Sequence, residues 1–119
     1  MTNTAAAGRA VEHAARKVLT VNGYWTHRSA GSKGEVDIIA LKPGQMLFVQ
    51  CKRRGVMAPA EWNRLWQLAA RLGAVPVLAR RGTPVTTIEF WRLTSTKIVT
   101  GRPSPMVPFI LDEVAEVTP

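Results

Sequence analysis

Asp37, Gln50 and Lys52 are residues whose types and spacing could do chemistry together. Asp37 stands in Glu35-Val36-Asp37-Ile38-Ile39-Ala40, a run suited to a strand, where a carboxylate is disfavoured unless it has a task. Thirteen positions after Asp37, Gln50 lies in a second such run, Phe48-Val49-Gln50-Cys51-Lys52. Lys42-Pro43-Gly44-Gln45 between them carries the Pro and Gly that reverse a chain, so the two runs are expected to form a hairpin. Alternation along a strand puts Gln50 and Lys52 on one face and Cys51 on the other, and the polar pair is expected to converge on Asp37. A carboxylate with a second oxygen ligand suits a hard cation such as Mg²⁺, and an ammonium beside it can orient a water and offset phosphate charge. The chemistry implied is that of phosphodiesters. The plainer alternative makes Asp37 a strand-edge residue and Gln50-Cys51-Lys52 the frayed end of an exposed strand.

The elements that must position these groups follow from local pattern. Thr4 can cap a helix over Ala5 to Val21, whose apolar stripe is read as Ala10, Ala14, Val18 and Val21, widened by Val11 and Ala15. Asn22-Gly23 ends it, Tyr24 to Arg28 reads as a first strand, and Ser29 to Gly34 as a loop of small residues. The hairpin strands are expected at Val36–Leu41 and Met46–Cys51. Pro59 opens a second helix with a stripe of Trp62, Leu65, Trp66, Ala69 and Leu72, closed by Gly73. Ala74 to Ala79 and Ile88 to Leu93 are further strands, and Pro76 argues for a sheet edge, a bulge or an early strand position. From Gly101 the chain carries four of its eight prolines and reads as an extended wrap. The fold class is α/β, a mixed central sheet flanked by helices, and residues 1–119 are expected to form a single domain.

The net charge is +8, and residues 1–111 hold all sixteen basic residues against five acids, because Asp112, Glu113 and Glu116 lie at the end. Such a field implies a polyanionic partner, nucleic acid being the usual one. Arg28, Lys33, Lys52, Arg53 and Arg54 crowd the proposed site. The lone cysteine, Cys51, cannot form an internal disulfide, and no Cys/His spacing suggests zinc. No apolar run reaches membrane-spanning length and no secretory leader is evident, so a cytosolic location is expected and a membrane partner is not. Low Phe and Tyr content argues against a stacking RNA-binding module.

Glu12 in the first helix, Asp37, and Gln50-Cys51-Lys52 resemble the PD-(D/E)XK nuclease superfamily, in which the sheet has the restriction-endonuclease-like form. Within it the chain looks most like the small archaeal and phage Holliday junction resolvases of the Hjc type, over roughly residues 8–80. The resemblance implies that Asp37 bridges Mg²⁺, or Mn²⁺ in its stead, that Gln50 supplies a side-chain oxygen, and that the Cys51 main-chain carbonyl adds a ligand. Lys52 would position or activate the attacking water, and Glu12 would reach the metal directly or through water. Either Ser29 or Ser32 would match the family's loop serine; Arg9, Arg28, Lys33, Arg53 and Arg54 would join them in contacting DNA. A four-way junction as partner, a homodimer to cut two strands, and no small-molecule cofactor complete the expectation. A phage or mobile-element origin would place the protein in host cytosol.

The chain departs from the family at two points. Gln50 stands where the superfamily usually has a glutamate, removing a negative charge from the metal site. Val36 stands where the motif has proline, a tolerant position. Rival readings are a relative of the Mrr or VRR nucleases, favoured by Gln50, and a catalytically silent DNA-binding module. Glu12 could instead pair with Arg16, and Gln67 is a weak further candidate. His13, His27, Cys51 and the Trp62/Trp66 pair read as structural or surface residues, and Trp91, Leu93, Met106, Val107, Phe109 and Ile110 as either a dimer surface or core.

Overall fold

The computed structural model describes residues 4–29, 36–97 and 104–111. Helix α1 (Thr4–Val21) leads into β1 (Trp25–Arg28), β2 (Ile38–Lys42) and β3 (Gln45–Cys51). Helix α2 (Pro59–Leu72) follows, then β4 (Val75–Arg81), β5 (Ile88–Leu93) and β6 (Met106–Pro108). The six strands lie side by side in sequence order. Only the β3–β4 pair is parallel, because only there does a helix carry the chain back across the sheet; the other pairs are antiparallel. Mixed α/β architecture is as expected.

Each face of the sheet buries one helix. Ala15 and Leu19 of α1 pack on Ile38, Ala40, Leu47 and Val49. Trp62, Leu65 and Ala69 of α2 pack on Phe48, Leu78 and Leu93. Pro59 at the start of α2 needs no N–H partner, and Gly73 at its end takes φ 74°, its amide donating to Ala69 O. Gly44, at φ 75°, supplies the positive φ at the β2–β3 reversal.

Three expectations about the elements change. In α1 the buried line is Val11, Ala15 and Leu19, while Ala10 is exposed and Val21 is 83% exposed. A stripe read from alanines is weakly phased, and the large Leu19 side chain sets the rotation instead. Leu72, in the last turn of α2, is exposed. The tail contributes a strand: β6 pairs with β5 at Leu93↔Met106, Arg92↔Val107 and Trp91↔Pro108, the Pro108 ring being tolerated because β6 is an edge. Pro76, by contrast, lies in a central strand, but β5 pairs with β4 only from Val77 onward.

Candidate active site

Asp37 lies where the β2–β3 ladder slips by one residue. The Asp37 amide donates to Val49 O at 2.9 Å, although Val49 is the register partner of Ile38. Two residues against one is a bulge, and it changes which face each side chain takes. Val36 accordingly packs on the α2 side and Ile38 on the α1 side, although regular alternation would put both on one face. The slip leaves Asp37 at the mouth of the sheet, where its Oδ2 accepts the Cys51 amide N–H at 2.8 Å. The Asp37 carbonyl accepts the Ser29 amide at 2.9 Å, so the end of β1 lies beside it.

Burial raises the Asp37 pKa above the ordinary aspartate value, opposed by the Cys51 amide. Glu12 raises it further, Lys52 lowers it, and Glu61 raises it. Helix carboxylates from both sides and the strand lysine thus act on a single group. Cys51 packs on the α1 side, and its thiol is held well above its usual range by burial, then by Asp37 and Glu12. This matches a small, half-buried side chain and disfavours the thiolate form.

Gln50 alternates with Val49 and Cys51 and faces α2, as Phe48 does. It is 9% exposed, and its Oε1 is fully buried with no hydrogen-bond partner among the described residues. An unsatisfied buried amide oxygen costs about 1–3 kcal/mol, which a bound donor or cation recovers. Lys52 follows on the same face; its amide donates to Ala79 O and its Nζ to Glu61 Oε2 of α2 at 2.7 Å. Glu61 was not anticipated from sequence, because nothing in its spacing from Lys52 signals that the β3–α2 loop folds one over the other.

Glu12 pairs with Arg28 of β1, across elements, rather than with Arg16 of its own helix. Its side chain is only 12% exposed, on the flank of the buried line beside Val11. Arg9, His13, Arg16 and Arg28 surround it in a cavity of about 220 Å³. On the other side of α1, Arg53 and Arg54 meet Arg81, a residue sequence reasoning passed over, around a cavity of about 570 Å³. Alternation explains the choice of arginine. Arg80 is committed to Glu89 at 3.0 Å and to the Trp91 ring, while Arg81 turns to the opposite face. Gly55, at φ 70°, lets the loop pass against the Arg80 side chain.

Ser32 and Lys33 lie outside the described residues. Gln67 is exposed on α2. Trp62 is core, its Nε1 donating to Ser95 O at 2.8 Å, and His27 stacks on Trp25. Of the apolar residues near the C-terminus, Leu93 is core, and Trp91, Met106 and Phe109 pack against the two clusters. Val107 and Ile110 remain exposed.

A mixed α/β sheet with Asp37 just before β2, Gln50 near the end of β3, Lys52 just past it and Glu12 on the flanking helix has the arrangement expected of a PD-(D/E)XK-type fold. Residues 3–100 match the archaeal Holliday junction resolvase (hjc) family, and the chain belongs to that family of junction-resolving nucleases. Among solved structures it is similar to Hjc of Archaeoglobus fulgidus, described as a Holliday junction resolvase from an archaeal hyperthermophile. The match has 22% identity and a TM-score of 0.58, and covers 75% of this chain and 79% of that one. No curated protein matches the chain. Among the described residues no helix is long and apolar enough to cross a membrane.

Proposed function

We propose that this protein is a metal-dependent endodeoxyribonuclease that resolves four-way DNA junctions by paired symmetric nicks, leaving 5′-phosphate ends. The observation that carries the reading is the Gln50 Oε1, buried without a partner among the described residues, at the end of β3 that leads into Lys52 and touches Asp37. The available donors are hard oxygens, which fit Mg²⁺ or Mn²⁺ and not zinc; among the described residues no group of three His, Cys, Asp or Glu gathers.

Asp37, Gln50 Oε1 and the Cys51 carbonyl would hold the ion. In an extended residue the N–H and C=O point to the same neighbour, and the Cys51 N–H already points to Asp37. Glu12 approaches from α1, directly or through a water. Bound there, the ion supplies positive charge to a nonbridging phosphate oxygen. Lys52 holds the attacking water in line and offsets charge on the phosphate. Ser29, tied to Asp37 through the backbone, stands nearest the scissile phosphate, with Ser32 the alternative. Arg9 and Arg28 on one side, and Arg53, Arg54 and Arg81 on the other, take the flanking phosphates; such contacts read shape and not sequence. Two symmetric cuts require two sites, hence a C2 homodimer.

The direct test incubates the protein with four-way junction, matched linear duplex and single strand, each with Mg²⁺ or with EDTA. Paired symmetric nicks confined to the junction and dependent on metal are the expected result. Cleavage of all three substrates would move the reading to a broader nuclease of the Mrr or VRR kind, and full junction binding without cleavage in either buffer would leave a silent binding module.

The arginine cluster carries its own prediction. Replacing Arg53, Arg54 and Arg81 together with alanine weakens junction binding and flattens its dependence on log salt concentration by about 0.9 per lost phosphate contact. Binding titrations from low to physiological salt check this, and an unchanged slope removes the cluster from the DNA interface.

A further inference from the structure

We infer that Glu61 supplies the metal site with a carboxylate from α2, standing in for the charge that Gln50 leaves out. This deepens the metal-dependent reading above and rests on it.

The strands alone bring one formal negative charge to the ion, on Asp37, because Gln50 offers only an amide dipole. Affinity for a hard dication falls with the charge count of its ligands, so a site built from the strands alone is weak. Gln50 faces α2, and the first turn of α2 presents Glu61 to that face. Lys52 ties the two elements together: its Nζ lies 2.7 Å from Glu61 Oε2, so the Glu61 carboxylate is held by the residue that follows β3. The acidic side chain comes with an independent mark of a ligand, the Gln50 Oε1, more than nine-tenths buried and without a partner among the described residues.

Two plainer roles compete. A glutamate in the first turn of a helix is favoured by the helix dipole wherever it points. An ion pair with Lys52 is a reason in itself, but both side chains are about a third exposed, and such pairs contribute little to stability. Neither role predicts a change in metal affinity.

The test therefore reads metal binding and not turnover. Mn²⁺ is titrated calorimetrically into the full-length protein without DNA, for wild type, Glu61→Gln, Gln50→Glu, the double variant and Asp37→Asn. Glutamine at 61 keeps a hydrogen-bond acceptor for Lys52, so the fold is retained while the charge is lost. Glu61→Gln should weaken Mn²⁺ binding about tenfold or more, and the double variant, which returns the charge to β3, should regain most of it. Unchanged affinity in Glu61→Gln, with affinity lost in Asp37→Asn, overturns the role of Glu61 and leaves it a partner of Lys52. Unchanged affinity in both, or no uptake by wild type, overturns the metal site itself.

Discussion

Asp37→Asn should abolish turnover, leave junction binding as tight or tighter, and make the metal-free protein more stable. The first effect follows if Asp37 is the charged hairpin ligand of the proposed metal site. Metal-centred charge stabilisation amounts to several kcal/mol in the transition state, so the loss is about a thousandfold or more. The second follows from taking a negative charge out of a protein of net charge +8. The third follows from burial and from Glu12 and Glu61. Asparagine keeps an oxygen to accept the Cys51 amide while shedding the charge that these disfavour.

The sign with pH is determined. The folded-state pKa of Asp37 is raised, so the folded protein binds this proton more tightly than the unfolded chain does. In wild type without metal, the contribution is fully present below the ordinary aspartate value and is lost as pH rises through the raised one. Wild type and variant should therefore melt together at acid pH and diverge by a few degrees towards neutrality, the variant higher. Thermal melts in EDTA across that range check the sign, and a variant less stable at neutral pH would show that the carboxylate supports the fold.

The hairpin was legible because Pro43-Gly44 leaves few alternatives and because the runs on either side are apolar and long enough to pair. The helix α2 was legible for the same kind of reason: Pro59 and Gly73 bound it, and Trp62 and Leu65 are large enough to phase it. Helix α1 was legible as a helix but misphased, since alanines mark a buried face poorly beside one leucine. Strand β6 was hidden by the prolines of its neighbourhood, which are tolerated only because it is an edge. The site divides in the same way. Asp37, Gln50 and Lys52 follow from strand order and spacing, whereas the bulge that turns Asp37 out of register arises from pairing and not from the residues that form it. Glu61 and Arg81 reach the site through tertiary placement: one through the β3–α2 loop, the other through alternation beyond Arg80.

Lys52→Met provides the complement to Asp37→Asn. The long side chain is kept and the ammonium removed, so the attacking water loses its orienting charge and the phosphate its neutraliser. Acid–base and positioning groups of this kind contribute about 10²- to 10⁴-fold, so single-turnover cleavage of the junction should fall by that much even at saturating protein. Stability should move the other way from Asp37→Asn. Without Lys52, Asp37 loses the one side chain that lowers its pKa, and Glu61 loses its ion-pair partner. The cost is small, below about 1 kcal/mol, because the pair is partly exposed. Its sign is what matters, since crowding of carboxylates is the condition that a divalent cation relieves. Added Mn²⁺ should then raise the melting temperature of Lys52→Met at least as much as that of wild type, although the variant cannot cut. Such a response in an inactive variant separates the lysine's part in the reaction from the carboxylates' part in binding metal. A Lys52→Met protein that neither cuts nor responds to Mn²⁺ would show that the lysine organises the site as a whole.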